Sequence, residues 1–221
     1  MASKARSSFD KNAEDVQKLL DLHKKEGGDT PGRRYGLEVL NKSAIVLITA
    51  FWEAYCEDIA AEGLEHIVIH AKSSDAIPVE LKKVLTKKIK SANNDLELWR
   101  IADDGWKQYL KDHLAELKEV RDRKLNTPKT QQIDDLFKSA LGIEKMSGSW
   151  SWAKKMTSAR ATDKLDKFVS LRGAIAHRGQ NDTSVTKANA VDYFEFIKSL
   201  VSKTGGKVNG HVKKITGVPL W

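Results

Sequence analysis

Residues 44–52 read Ala44-Ile-Val-Leu-Ile-Thr-Ala-Phe-Trp52, the longest apolar run in the chain. They lie inside a longer segment, about residues 33–71, in which apolar residues recur at helical spacing. Because the middle of this segment is apolar almost all round, we expect it to form the central and most buried helix of the protein. The run is about half of the ~20 residues that a membrane span needs, and Glu53 follows it directly, so we expect no membrane association.

The same spacing outside this segment predicts further helices rather than a sheet. Only four prolines occur in 221 residues, which agrees with an all-α protein. We expect one domain, residues 1–221, built as a single bundle of about six to seven helices with one long central helix. Residues 1–8 are expected to form a flexible N-terminal tail. A short helix over 131–141 should end at Gly142, and the last helix should cover 186–202.

The amino-acid composition indicates which partners and which cellular compartment the protein suits. The formal net charge is +8 and the pI is near 9.4, which favours polyanionic partners. The single cysteine, Cys56, excludes an internal disulfide and suits a reducing compartment. The polar segment 1–8 has no apolar signal core, so we expect a cytoplasmic protein.

Lysines are concentrated in one short segment that follows Pro78. Its members are Lys82, Lys83, Lys87, Lys88 and Lys90. One reading is a set of contacts to an RNA backbone, which would make binding salt-dependent. The other reading is an ordinary solvated helix face. Spacing alone does not choose between them.

The segment Arg172-Gly-Ala-Ile-Ala-His177 combines a permanent cation with a titratable imidazole. Arginine binds phosphate oxygens in a planar fork, and histidine exchanges protons near neutral pH. In a regular helix these two positions are about 140° apart, so they share one face only if the helix ends or distorts between them, as Gly179 allows near His177. The geometry suggests a site that is shared with a second copy of the chain. The alternative is structural: the arginine caps helix-end carbonyls and the histidine is an ordinary core or surface residue.

Two further segments accompany the Arg172–His177 motif: Phe51-Trp-Glu-Ala-Tyr-Cys-Glu-Asp-Ile59, and Asn126-Thr-Pro-Lys-Thr-Gln-Gln-Ile-Asp-Asp-Leu-Phe137 with Leu141-Gly-Ile143. Together, and in their order along the chain, the three segments resemble the HEPN superfamily of helical ribonucleases, in its RiboL-PSP branch. The resemblance spans about residues 40–200. It implies a dimeric helical bundle that cleaves RNA without a metal or cofactor, in a toxin, phage-defence or RNA-surveillance system, with an antitoxin or defence-system protein as a further partner.

The resemblance also assigns roles to particular residues. Arg172 and His177 fall on the catalytic pair, and Glu53 falls where the second helix can supply a carboxylate that orients them. Arg178 joins the lysines as a candidate RNA contact. The family usually has Asn, Asp or His directly after the arginine, whereas this chain has Gly173. A non-catalytic RNA-binding module, or a protein-interaction scaffold of a defence complex, therefore stands beside the ribonuclease.

Overall fold

A computed structural model describes residues 2–27, 36–91, 94–124, 127–152, 156–178 and 185–221, with the backbone alone at residues 95, 120–124, 177 and 178. Within these ranges the chain forms seven α-helices: α1 (Lys4–Gly27), α2 (Glu38–His70), α3 (Val79–Ser91), α4 (Gly105–Lys124), α5 (Thr130–Leu141), α6 (Ser158–Arg178) and α7 (Lys187–Thr216). Three short 3-10 helices lie at Ser74–Ala76, Asp95–Ile101 and Met146–Ser149, and the described residues contain no β-strand. The predicted all-α bundle is confirmed.

The central helix of the bundle is α2. Its 33 residues contact α1, α4, α5, α6 and α7. Its buried side chains recur every three or four residues along the helix, among them Ile45, Ile48, Trp52, Ile59 and Leu64, and most positions between them are half-buried. Burial of an apolar side chain of this size stabilises a fold by about 1.5–3 kcal/mol. The sequence prediction of one long central helix is therefore confirmed, with one side of α2 buried and the other half-buried.

Helix α7 runs parallel to α2, and the two are joined at successive levels. The Thr49 and Tyr193 hydroxyl oxygens are 3.1 Å apart. Further along both helices, the Tyr55 hydroxyl donates a hydrogen bond of 2.9 Å to the Val201 carbonyl. The residue number rises along both helices in step, so α2 and α7 point the same way. Residues of α7 therefore lie beside residues of α2 in the same order along both helices.

The N-terminal segment differs from the predicted flexible tail. Helix α1 already begins at Lys4, and Ala5 is buried against the core. The Glu62 carboxylate of α2 accepts the backbone N–H groups of Lys4 and Ala5, each at 3.0 Å. A carboxylate at a helix N-terminus satisfies free donors and opposes the positive end of the helix dipole. Burial of Ala5 and this distant carboxylate fix residues that look like a tail in the sequence.

The last helix is longer than predicted, because it continues past Ser202 to Thr216. Two adjacent glycines, Gly205 and Gly206, lie inside it and do not end it. The buried Val208 and Val212 beyond them continue the apolar face that packs on the core. The helix ends at Gly217, which has the left-handed backbone conformation that suits a C-terminal cap.

Candidate functional site

Arg172 lies on α6 beside the central helix. Leu165 and Val169 of α6 are buried in the core, which brings the following turn of the helix against α2. The Arg172 side chain is half-buried, and its Nε atom is buried without an acceptor among the described residues. A buried donor that lacks a partner costs about 1–3 kcal/mol. The terminal nitrogens of the guanidinium also form no hydrogen bond or ion pair with the described residues, so they keep hydrogen-bonding capacity that an oxygen-rich ligand could use.

Glu53 of α2 is close enough to Arg172 to be affected by its charge. The carboxyl is half-buried, and this burial raises its pKa above the ordinary value, while the positive charge of Arg172 acts in the opposite direction. The two side chains form no direct ion pair. The charge of Arg172 therefore reaches Glu53 without a direct ion pair between the two side chains.

Tyr193 of α7 forms the third side of the site. The Thr49 hydroxyl donates to the Ile45 carbonyl at 2.8 Å, and its oxygen lies 3.1 Å from the Tyr193 hydroxyl oxygen, within hydrogen-bond distance. Burial raises the pKa of Tyr193, whereas the hydrogen bond to Thr49 and the charge of Arg172 lower it. The ring stacks on Phe168 with 4.1 Å between centroids. Phe168 lies one turn before Arg172, so the stacked pair forms an apolar wall at the base of the arginine.

Tyr193 is a residue that the sequence analysis missed. Its ring looks like an ordinary core position on an apolar helix face, and its hydroxyl meets Thr49 only because α2 and α7 are parallel. The available signal was a tyrosine in place of phenylalanine at a buried position, since a buried phenolic hydroxyl needs a partner.

The other half of the predicted catalytic pair, His177, has a side chain outside the described residues, as does Arg178. The backbone of α6 is helical through both positions. Positions 172 and 177 are therefore about 140° apart around the axis and about 7.5 Å apart along it. The regular helix keeps the geometry that led us to expect a site shared between two copies.

The lysines of α3 separate into two groups. Lys82, Lys83, Lys87 and Lys90 share the outer face of the helix and line a shallow groove of about 390 Å³ with Val79 and Thr86. Lys88 instead points to α4, where it bonds His113 Nδ1 at 2.9 Å and pairs with Glu116. Lys88, a candidate RNA contact by sequence, is thus separated from the other four lysines by its contacts with α4.

The lysine groove and Arg172 lie on helices that have α5 as a common neighbour. Within the groove, Lys83 pairs with Glu80 at 2.7 Å and Lys82 donates to the Asp75 carbonyl at 3.3 Å. Lys87 and Lys90 are exposed and have no partner among the described residues. The two lysines near the C-terminal end of α3 are thus the ones whose ammonium groups are open to an anion.

The His66 and His70 rings on α2 lie next to each other, with centroids 4.3 Å apart and ring planes tilted by 41°. The His66 Nε2 atom donates to the Val218 carbonyl at 3.2 Å, and both burial and His70 lower its pKa. The part of the chain that the structure describes contains no group of three or more side chains able to hold a metal ion. The described helices also include none long and apolar enough to cross a bilayer.

The fold and the site define an all-helical bundle protein with an arginine and a carboxylate at the junction of three helices. The family model RiboL-PSP-HEPN matches residues 10–209, so the chain belongs to the RiboL-PSP-HEPN family. It is therefore a HEPN-type nuclease or a related module of that class. No curated protein and no solved structure matched the chain.

Proposed function

We propose that this protein is a metal-independent endoribonuclease that acts as a homodimer in a defence or toxin system. The main support is Arg172, whose guanidinium forms no hydrogen bond or ion pair with the described residues and whose charge is not neutralised by direct contact with Glu53. An arginine in this state can bind the oxygens of a phosphodiester. Family membership and the basic net charge of +8 support the same proposal.

The proposed chemistry is transesterification at phosphorus. One imidazole, from His177, removes the proton of the ribose 2′-hydroxyl while the 2′-oxygen attacks the adjacent phosphorus. The bond from phosphorus to the 5′-oxygen breaks, and the imidazolium of the second copy's His177 protonates the leaving oxygen. Arg172 stabilises the charge that develops on the phosphorane, and Glu53 keeps the guanidinium oriented. The products are a 2′,3′-cyclic phosphate and a 5′-hydroxyl.

The test is cleavage of a mixed set of single-stranded RNAs in EDTA by protein that sizing confirms to be dimeric. We expect 2′,3′-cyclic phosphate ends, and loss of cleavage in His177→Ala and in Arg172→Lys, which keeps the charge but not the planar fork. His70→Ala and Arg160→Lys are matched controls, and melting temperatures verify folding. Absence of cleavage by the dimer, or cleavage that EDTA abolishes, refutes the proposal.

A second candidate is a non-catalytic RNA-binding or scaffold module, and Gly173 favours it. A Cβ atom built at this position meets nothing within 4 Å, so no packing requirement explains the glycine next to Arg172. A site without a polar group at this position lacks one source of orientation for its reacting groups. Salt-sensitive RNA binding that is unchanged in His177→Ala and yields no product would establish this second function.

A further inference from the structure

A cleft of about 450 Å³ lies between α1, α2 and α7, away from Arg172. Tyr55 of α2 and Val201, Gly205 and Gly206 of α7 line it, and Trp221 closes it. Its volume is within the range of about 300–1,000 Å³ that is usual for small-molecule sites. The level of Val201 is eight residues along α7 from Tyr193, or about 12 Å.

The walls of this cleft suit a flat aromatic group. Gly205 packs directly under the Trp221 ring, because a Cβ there would be 3.5 Å from Trp221 and 2.6 Å from the Tyr55 hydroxyl. Gly206 contributes backbone only, and the space beside it is open. The result is a floor without side chains next to an indole face, which is the surface on which a planar ring can stack.

Arg6 supplies directional polar groups at one side of the cleft. Asp10 accepts two hydrogen bonds from its Nε atom, at 2.8 and 2.9 Å, which fixes the plane of the guanidinium. The two terminal amino groups of Arg6 have no acceptor among the described residues. The cleft therefore combines a stacking surface with free donors and an adjacent carboxylate, the groups that the edge of a nucleobase pairs with.

The exposed face of α7 around the cleft is strongly basic. From residue 196 to residue 221 the chain contains five lysines and neither aspartate nor glutamate. Lys198 pairs with Glu195, whereas the exposed Lys203, Lys207, Lys213 and Lys214 form no ion pair with the described residues. The effect of this charge is visible at His211, whose pKa is lowered chiefly by burial and further by Lys207 and Lys214.

The composition of that face favours a nucleic acid over a lipid surface. Between Ser202 and Lys214 its exposed positions are serine, glycine and lysine, with no apolar side chain that could enter a bilayer. Lys203 and Lys207 directly follow Ser202 and Gly206, two residues that line the cleft. A backbone held by these lysines can thus place one base in the cleft.

We propose that this cleft binds an unstacked base of single-stranded RNA while Lys203 and Lys207 hold its phosphates. Proteins that bind single strands commonly combine an aromatic stacking surface with a basic track in this way. The inference extends the proposed function by naming a binding site outside the Arg172 region. Duplex RNA keeps its bases paired and stacked, so it does not fit the cleft.

The experiment measures fluorescence anisotropy with a labelled 2′-O-methyl oligoribonucleotide of about 12 nucleotides. This probe has no free 2′-hydroxyl, so binding is measured without cleavage. Gly206→Leu fills the cleft, and Gly210→Leu is its matched control, since both glycines face open space on α7. We expect Gly206→Leu to weaken binding about 5- to 100-fold, as loss of one stacked base would, and Gly210→Leu to change it less than about twofold.

The charge arm compares Lys203→Gln/Lys207→Gln with Lys25→Gln/Lys111→Gln, a pair of exposed lysines on α1 and α4. Only the first pair should reduce the slope of log affinity against log salt, by about 1.4, because each phosphate contact contributes about 0.7 on a single strand. Equal losses in both pairs would mean that net charge alone drives binding, and would overturn the proposal.

Further outcomes distinguish the alternatives. Three results would each refute the proposal that the cleft binds an RNA base. Gly206→Leu could weaken single-strand and duplex binding equally, it could weaken neither, or the protein could bind anionic vesicles in preference to RNA. Cleavage by a protein whose cleft variants bind normally would leave the proposed ribonuclease in place and remove only this inference. RNA binding that depends on the cleft, by a protein that never cleaves RNA, would support the cleft and refute the proposed ribonuclease.

Discussion

Adjacent glycines in the middle of α7 should respond to the same substitution with opposite signs. Replacing glycine by alanine inside a helix stabilises it by about 0.8–1 kcal/mol, because the alanine chain has less freedom to lose on folding. At Gly206 and Gly210 the new methyl group meets nothing within 4 Å. Both variants should therefore gain the full amount, which corresponds to a rise in Tm of about 2–4 °C for a chain of this size.

At Gly205 the same methyl group would lie 2.6 Å from the Tyr55 hydroxyl oxygen. Tyr55 is 2% exposed and donates to the Val201 carbonyl, so it cannot move away freely. Overpacking of this kind costs about 1–3 kcal/mol, and a displaced hydrogen bond about 0.5–1.5 kcal/mol. After subtraction of the helix gain, Gly205→Ala should destabilise the protein by about 1–3 kcal/mol.

Thermal and urea unfolding of the three single variants measure these differences. Tyr55→Phe supplies the mechanistic control, because it removes the atom that the methyl group strikes. The double variant Gly205→Ala/Tyr55→Phe should be more stable than the sum of the two single changes predicts, by about 1 kcal/mol. The proposed steric conflict between residue 205 and Tyr55 would be refuted in either of two cases. Gly205→Ala could stabilise the protein as Gly206→Ala does, or the effects of Gly205→Ala and Tyr55→Phe could be additive.

Three further predictions concern the site and the pH dependence. Burial raises the pKa of Glu53, so the folded state keeps the carboxyl proton to a higher pH than the unfolded state does. Glu53→Gln should therefore gain stability relative to the parent protein as the pH rises above about 4.3. Urea titrations that show the same stability difference at every pH would contradict this. His211 has a lowered pKa, so the folded state binds fewer protons than the unfolded state. The parent should lose stability relative to His211→Gln as pH falls below about 6.5, and a parallel response of the two proteins would refute it. At Gly173, alanine and asparagine should both fold, since a Cβ meets open space, but only asparagine should raise the rate of RNA cleavage. Equal rates in the two variants would show that a polar group beside Arg172 is not what the site lacks.

The sequence predicted best what local periodicity determines. The central helix followed from apolar residues on all its sides, and Gly142 ends α5 in the left-handed conformation, as a glycine after a helical pattern suggests. The prediction of a flexible N-terminal tail was wrong because the group that orders this segment is distant in the sequence: Glu62 is 58 residues from Lys4. The predicted end of the last helix was wrong for a related reason. Gly205 leaves room for the Tyr55 hydroxyl, which lies 2.6 Å from where a Cβ atom would be, and it does not end the helix.

The candidate site divides in the same way. Arg172 and Glu53 were selected from motifs, and the structure brings their charges within mutual influence. Tyr193 and its hydrogen bond to Thr49 depend on the parallel packing of α2 and α7, which no short motif encodes. The separation of Lys88 from the other lysines likewise depends on α4, whose His113 and Glu116 draw its ammonium group away from the outer face of α3.

The geometry of α6 limits how Arg172 can take part in any reaction that also needs His177. The helix has no break between the two positions, so they are about 140° apart around its axis, and the charge of the guanidinium acts on Glu53 of α2 and Tyr193 of α7. We propose that a phosphodiester bound at Arg172 of one chain meets the imidazole of another chain. Under the proposed mechanism, assembly of the dimer and formation of the catalytic site are then the same event, because neither α6 alone presents both groups to one phosphate.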